Sequence, residues 1–219
     1  MPTTHDERPG PSRAYHHGNL RAALVDAGYA LITECGIKGF SLIDCCRRAG
    51  VSKAAPYRHF ANKEALLVDI AIAGFDRFRA LVAEAVGDAG PEEALRRIAR
   101  RYVRFAQEHP AYVMAMFASE LDRTQHPALE QAARGMFREV GATIVRCQRT
   151  GLLPDDDAIY RSLTLWLPVH GLAMVLISGT ENAEPWVQRT DRLVDDLVTI
   201  LVHGSAHTGR VGPAAPAPG

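Results

Sequence analysis

The spacing of apolar residues is the feature that most restricts the fold of this chain. Between residues 13 and 204 apolar side chains recur every three or four positions, as in the stripe of Leu20, Leu24, Ala27 and Leu31, and strict alternation is nearly absent. A period near 3.6 places such side chains on one side of a helix, whereas a strand needs a period of two. With 219 residues, 47% of them hydrophobic, the chain is expected to form an all-α protein with a sizeable core.

Capping residues divide the N-terminal part into three short helices. Asn19 precedes the first predicted helix and Gly36 ends it. Ser41 caps a second helix that stops at Gly50, and Ser52 caps a third that runs to about residue 60. Two short helices joined by a tight turn containing glycine, with another helix packed behind them, form a helix-turn-helix arrangement.

A longer fourth helix is predicted to lead from this small unit into a larger helical bundle. It opens at Ala61 or Asn62 and ends in the break from Gly87 to Pro91. Further helices are predicted at about 91 to 108, 111 to 119, 127 to 149, 156 to 178 and 185 to 203. The predicted organisation is a tail at 1–12, a helix-turn-helix domain at 13–68, a bundle at 69–204 and a tail at 205–219, the tails being rich in Pro, Gly, Ala and Ser.

Charge is balanced over the chain but not along it. The 25 Lys and Arg residues equal the 25 Asp and Glu residues, so no global field marks a polyanionic partner. Residues 13–68 nevertheless contain eight Lys or Arg against four Asp or Glu, a net charge of plus four. A basic helix-turn-helix unit on a neutral protein is the footprint that neutralisation of DNA phosphates requires.

Three short motifs in order carry a resemblance to a known family. They are A-G-V-S at 49–52, Y-x-H-F at 57–60 and N-K-E-x-L-L at 62–67. Residues 15 to 70 with these motifs resemble the DNA-binding domain of the tetracycline-repressor (TetR/AcrR) family of bacterial transcription regulators. A W-x-x-x-H-G segment at 166–171 is similar to the Trp-His-Gly type of C-terminal domain in that family.

This resemblance implies a homodimer that binds a palindromic operator in double-stranded DNA and a small effector that lowers operator affinity. It implies that Tyr57 and His59 reach phosphates, that Arg58 touches phosphate or base, and that Lys63 adds a phosphate contact. Lys53 and the small residues after it would lie in the first turn of the recognition helix, close to base edges. Pro56 in that turn is expected to stiffen the helix without breaking it. The implied DNA-binding set is Ser41, Lys53, Ala54, Ala55, Tyr57, Arg58, His59 and Lys63.

Two further groups of residues allow more than one interpretation. The first is the segment with Arg13, Tyr15, His16 and His17. It is interpreted either as an arm that enters a minor groove or as a terminus that is only partly ordered. In the C-terminal half, one set of mostly apolar residues predicts an effector pocket or only a helical core, and His170 is a hydrogen-bonded core residue, an effector contact or, least favoured, a metal ligand. That set is Tyr102, Phe105, Met114, Phe117, Trp166, His170 and Met174.

No constellation for catalysis or metal binding is found. The four cysteines form no C-x-x-C pattern and are expected to be small buried hydrophobes, although a redox switch at Cys45 and Cys46 is an alternative. The run of three aspartates at 155–157 is interpreted as a helix cap. We therefore expect neither enzymatic activity nor a cofactor or metal.

The remaining expectations concern location and assembly. The first twelve residues lack a secretory signal, and the longest apolar run, residues 163–177, is 15 residues long, shorter than the roughly 20 that span a bilayer. A cytoplasmic protein without a membrane segment is predicted. The dimer is expected to form through the last two long helices, where Leu193, Leu197, Ile200 and Leu201 make an apolar stripe.

These observations predict a homodimeric, effector-responsive transcriptional repressor. Two alternatives stay open: a regulator that is constitutive or controlled by a protein partner, and a helical adaptor that has lost DNA binding. The intact Lys53, Tyr57, His59 and Lys63 argue against the adaptor.

Overall fold

The computed structural model describes residues 20–178 and 189–208, with side chains up to residue 204. Over these residues the fold is all-α and contains no strand, as predicted. Two 3₁₀ helices, Ala55–Arg58 and Arg123–Gln125, interrupt the series of α-helices. The α-helices are α1 Leu20–Gly39, α2 Leu42–Ala49, α3 Lys63–Val86, α4 Pro91–Glu108, α5 Pro110–Met116, α6 Pro127–Arg149, α7 Ala158–Ile177 and α8 Thr190–Thr208.

Local signals position the small N-terminal unit as expected. The Ser41 hydroxyl accepts a hydrogen bond from the Asp44 amide and caps α2, and Gly50 ends that helix with a φ of 69°. Only glycine adopts this conformation without a steric cost. Gly36, at φ 71°, interrupts α1 where a stop was predicted, although three more residues follow before the helix ends. Leu24 and Phe60 fill the core of the unit.

The predicted third helix, residues 52 to 60, is wrong in kind and length. The chain forms only a four-residue 3₁₀ helix, Ala55–Arg58, and Ser52 is not its cap. We call residues 53–59, which contain this helix, the reading turn. Pro56 explains the difference because it has no amide to donate to the Ser52 carbonyl and its ring disfavours the α conformation of the residue before it. The Ala55 amide bonds that carbonyl instead, at 3.0 Å. The proline therefore shortens the element that it was expected only to stiffen.

Helix α3 connects the small unit to the larger bundle. Asn62 caps it by accepting from the Ala65 amide at 2.9 Å. Beyond the small unit it packs against α4, α5 and α6 and buries Phe75 and Phe78. At Gly74 a Cβ atom would lie only 2.9 Å from Met116. This glycine therefore allows α3 and α5 to approach closely, so that both halves share one continuous core.

Helix α8 is held to α4 by ion pairs and to the core by a valine stripe. The Arg100 guanidinium donates two hydrogen bonds to the Asp195 carboxylate, at 2.6 and 2.8 Å. The buried apolar residues of α8, up to residue 204, are Val194, Val198 and Val202. Of the predicted dimer stripe, Ile200 is exposed, and Leu193, Leu197 and Leu201 are half-buried.

Helix α7 carries apolar residues on its outer surface as well as on its inner one. Val169 and Ala173 pack into the core, while a set of large apolar side chains is exposed. It is the one described helix that is long and apolar enough to cross a membrane, and 28% of it is buried. Its exposed apolar residues are Ile159, Tyr160, Leu163, Leu167, Met174 and Val175.

Some predicted features lie outside the described residues. They include the tail at 1–12, the arm with Arg13, Tyr15, His16 and His17, the Asn19 cap and the segment from 179 to 188. The last helix continues to Thr208, four residues beyond the predicted end of the bundle, and the tail from residue 209 onward is outside the description.

Candidate nucleic-acid interface and apolar cavity

The reading turn presents a group of polar side chains to solvent. Lys53, Arg58 and His59 are exposed, and Tyr57 is 59% exposed. None of these four side chains has a hydrogen-bond or ion-pair partner among the described residues. The turn itself is fixed, because Pro56 is buried and its carbonyl accepts from the amides of residues 59 and 60, each at 2.8 Å.

Neighbouring cations in the same unit are already paired. Arg48 donates to both carboxylate oxygens of Glu34, at 2.6 and 2.7 Å, and Arg21 does the same with Asp69. Arg47 pairs with Asp44. Four described cations of residues 13–68 have no carboxylate partner, and two of these four, Lys53 and Arg58, lie at the reading turn. The other two are Lys38 and Lys63.

Two residues of the predicted DNA-binding set are engaged within the protein. The Ser41 hydroxyl donates to Asp44 Oδ2 at 2.5 Å, and this bond lowers the pKa of Asp44. Lys63 Nζ donates to the Ile37 carbonyl at 2.6 Å and lies 4.5 Å from the centre of the Phe40 ring. Lys63 thus ties the start of α3 to the end of α1, with two of its three protons left for other partners.

The two alanines of the predicted set lie within the reading turn. Ala54 is exposed and Ala55 is half-buried. They are small, as a close approach to DNA requires, but they belong to a turn and not to the first turn of an α-helix.

A link at the base of α3 was not predicted. His126 Nε2 lies 2.8 Å from Glu64 Oε1, so the first turn of α3 is bonded to the residue that precedes α6. The two residues are 62 positions apart, and no local pattern signals their contact.

An apolar cavity of about 60 Å³ lies in the larger bundle, between α3, α4, α6, α7 and α8. Of the seven residues predicted for an effector pocket, Tyr102 and Trp166 line it. The rest of the wall was missed, since regular helical spacing marks core residues without telling which of them border a void. The missed residues are Phe78, Leu95, Ile98, Ala99, Met136, Phe137, Val140, Ile144, Ser162, Leu165, Val169 and Val198.

The other five predicted residues do not line the cavity. Phe105 is buried and stacks on Tyr112, with ring centres 6.3 Å apart, and Met114 is half-buried. Met174 is 37% exposed, on the outer surface of α7. Phe117 and His170 lie one layer behind the wall, where both contact Trp166.

A hydrogen bond joins Tyr102 and His170 beside the cavity. The Tyr102 hydroxyl lies 2.6 Å from His170 Nδ1. Burial lowers the pKa of His170 and raises that of Tyr102, which favours the neutral form of both side chains at pH 7. The tautomer of the imidazole then decides which of the two groups donates. The Trp166 ring stacks on the His170 ring, with ring centres 4.4 Å apart, and its Nε1 is buried.

The cysteines differ from one another in burial. Cys45, Cys46 and Cys147 are buried, as expected, and burial raises the pKa of Cys45 and Cys147 to about 11. Cys35 is exposed, so the prediction was wrong for it; it lies on the outer side of α1. Within the described ranges no three His, Cys, Asp or Glu residues come together as a metal site would require.

The acidic run before α7 is a cap, as predicted. Asp157 accepts hydrogen bonds from the amides of Ile159 and Tyr160, and Asp156 pairs with Arg161.

Comparisons with known proteins agree with this geometry. The family described as bacterial regulatory proteins, tetR family, matches residues 24–70, and the family described as tetracyclin repressor-like, C-terminal domain, matches residues 95–201. A curated relative, the uncharacterized HTH-type transcriptional regulator YobS of Bacillus subtilis, is 26% identical over 106 residues. That match spans 48% of this chain and 56% of the relative.

Solved structures resemble nearly the whole chain. A protein of unknown function from Rhodococcus sp. RHA1 is 27% identical with a TM-score of 0.71, over 90% of this chain and 98% of that one. AibR, solved in complex with isovaleryl coenzyme A and operator DNA, is 20% identical with a TM-score of 0.64, over 83% of this chain and 97% of that one. The two family matches together cover most of the described helices, and the chain belongs to the tetR family of bacterial regulatory proteins, which are DNA-binding transcription regulators.

Proposed function

We propose that the protein is a homodimeric repressor that leaves a palindromic operator when a small effector binds in the larger bundle. The observation that carries this proposal is the reading turn, where four exposed side chains have no partner among the described residues. They belong to Lys53, Tyr57, Arg58 and His59. Unpaired cations and a tyrosine hydroxyl on a fixed turn are suited to phosphate and base contacts. The AibR structure, which contains operator DNA and a small molecule, has the same fold.

The operator can be found by selecting bound sequences from a random duplex pool. A two-fold protein places its reading elements in successive major grooves, so we expect a pseudo-palindrome with half-sites about one helical turn or somewhat more apart. Recovery of no common sequence, or of sequences without dyad symmetry, would contradict the operator proposal.

The proposed dimer uses the outer surfaces of α7 and α8. The α7 outer face, defined as Tyr160, Leu167, Met174 and Val175, is exposed, and Ile200 on α8 is 66% exposed. A contiguous apolar surface of this kind is typical of a protein interface, and two helices from each of two copies would form a four-helix bundle.

Leu167→Glu tests the dimer because it places a charge in the α7 outer face. We expect light scattering to give a dimer for the wild type at micromolar concentration and a monomer for the variant. Ile43→Glu is the matched control, since Ile43 is also an exposed apolar residue but lies on α2. A monomeric wild type would contradict the proposed dimer.

The proposed switch runs through α3. Phe78 on α3 lines the cavity, and Phe117 joins Trp166 to Phe75, also on α3. A ligand that displaces these rings would tilt α3 and change the separation of the two reading turns in a dimer. Such a ligand must bind the two arrangements with different free energy, and a coupling of about 1 to 3 kcal/mol changes affinity roughly 5- to 150-fold.

A second connection between the bundle and α3 supports this route. The Arg123 guanidinium lies 5.4 Å from the ring centre of Phe75 and 5.8 Å from that of Phe117. It belongs to the 3₁₀ helix that leads directly to His126, the partner of Glu64 at the start of α3. Movement of Phe117 would therefore act on α3 at two positions, at Phe75 directly and at Glu64 through Arg123 and His126.

The switch is tested by measuring operator affinity across a panel of hydrophobic compounds. A compound that perturbs tryptophan fluorescence should release the operator, and the operator should weaken the binding of that compound by the same factor. Trp166→Ala should reduce this release while sparing operator binding. If no compound changes operator affinity, a constitutive or partner-controlled regulator becomes the better conclusion.

A further inference from the structure

A larger open groove between α6 and α7 lies next to the apolar cavity. The groove has a volume of about 1080 Å³ and shares Phe137 and Ser162 with the cavity wall. The helices come close at its floor, where a Cβ atom on Gly141 would lie 3.9 Å from the Ser162 hydroxyl. A ligand that is longer than the cavity and enters it between α6 and α7 would therefore extend into the groove.

The groove has an apolar side and a basic side. Ile159 and Leu163 of α7 form the apolar side, and Arg134 and Arg138 of α6 form the basic side. Arg134 is paired with Glu130, whereas Arg138 is exposed and has no ion-pair partner among the described residues.

Arg138 also borders a polar pocket of about 280 Å³ between α3 and α6, which contains Arg79 and Asp76. Arg79 and Asp76 are paired at 3.5 Å. In the groove Glu130 pairs with Arg134, and in the polar pocket Asp76 pairs with Arg79. The positive charge of Arg138, which borders both, is therefore not balanced by a carboxylate. A single negative charge beside it would balance the local charge.

From this arrangement we infer that the site takes an aliphatic carboxylate, with its chain in the cavity and its carboxylate at Arg138. A guanidinium binds a carboxylate through two parallel hydrogen bonds. At roughly 10 to 15 Å³ for each water-sized group, the cavity holds about four to six such groups, and a chain of moderate length would fill it and cross the groove. This inference rests on the proposed use of the cavity by an effector.

The position of Arg138 gives the carboxylate a role beyond affinity. Arg138 lies on α6 next to Arg79 on α3, and α3 is the helix that follows the reading turn along the chain. A carboxylate held at Arg138 therefore lies beside the helix whose tilt is proposed to control operator binding.

The experiment compares three eight-carbon probes of matched chain length by isothermal titration calorimetry: octanoate, 1-octanol and octylammonium. One exposed ion pair contributes up to about 1 kcal/mol, which is about fivefold in affinity. We expect octanoate to bind up to about fivefold more tightly than octanol, and octylammonium to bind most weakly. Arg138→Gln should remove the preference for octanoate over octanol without weakening octanol.

Two further variants keep the test specific. Arg149→Gln removes another exposed arginine of α6, outside the groove, and should leave all three affinities unchanged. Gly141→Leu fills the floor of the groove and should weaken octanoate and octanol together.

The inference is overturned if octanoate binds no better than octanol, if Arg149→Gln acts as Arg138→Gln does, or if octanoate does not bind. Its failure is separate from that of the proposed function. Octanoate that binds as expected but leaves operator affinity unchanged would contradict the effector switch and support the carboxylate site. Operator release by uncharged compounds alone would support the switch and contradict the carboxylate site.

Discussion

The reading turn and the cavity wall are assembled in opposite ways. The reading turn and its exposed side chains come from seven consecutive residues, 53 to 59, whereas the cavity wall is drawn from five helices between Phe78 and Val198. The first region is polar, exposed and unpaired; the second is apolar and largely buried. A surface that binds a polymer of constant shape can be local, but a cavity needs walls on all sides and so depends on the whole bundle.

The largest expected difference between the regions is in stability. Phe78 is 2% exposed, contacts the rings of Tyr102 and Phe105, and lines the cavity. Phe78→Ala should lower the free energy of unfolding by about 3 to 5 kcal/mol. Tyr57→Ala, which truncates an exposed aromatic residue of the reading turn, should change it by less than about 0.5 kcal/mol. Urea denaturation followed by circular dichroism measures both, and equal losses would erase the contrast.

Operator binding should show the reverse order. Arg58→Ala should weaken binding to the selected operator by about 1 to 3 kcal/mol per half-site if it contacts a base, and Lys53→Ala should change which sequence is preferred. Fluorescence anisotropy over a series of salt concentrations is the measurement. Arg149→Ala, far along the chain on α6, is the control. Wild-type affinity and salt dependence in both reading-turn variants would show that DNA is bound elsewhere.

Lys63 follows the reading turn along the chain, and its role in stability can be separated from its role in DNA binding. Because its ammonium donates to the Ile37 carbonyl, Lys63→Met should cost roughly 0.5 to 1.5 kcal/mol of stability while keeping the aliphatic packing. If Lys63 also reaches a phosphate, the slope of log affinity against log salt should fall by about one per subunit. A variant that loses stability with an unchanged salt slope would assign Lys63 to structure alone.

The smallest expected effect is a pH dependence that originates beside the cavity. Burial lowers the pKa of His170 below its unfolded value, so the unfolded chain binds more protons near pH 6 and the contribution of His170 to stability falls as pH drops. His170→Gln should therefore lose less stability than the wild type between pH 7 and pH 5. Melting temperatures across this range provide the comparison, and parallel curves for the two proteins would contradict it.

The sequence predicted the fold well where a signal is local. The spacing of apolar residues gave the all-α class, and Ser41, Gly50 and Asn62 marked ends that the structure confirms. It predicted the reading turn less well. Pro56 was expected to be tolerated in the first turn of an α-helix, but in the structure the chain forms only a short 3₁₀ helix there. The exposed position of Cys35 was also missed, since a stripe pattern does not settle the burial of residues at its edge.

What the sequence alone determined is therefore the family, through three short motifs between residues 49 and 67, and the helical class, through the spacing of apolar residues. What only the tertiary structure decided is which core residues border a void, that Lys63 reaches Ile37, and that Glu64 meets His126 across 62 positions. Caps and helical periods depend on neighbours within about four residues and can be read from the chain. A cavity, an unpaired arginine or a contact between distant helices depends on how whole helices pack, which no short stretch of sequence specifies.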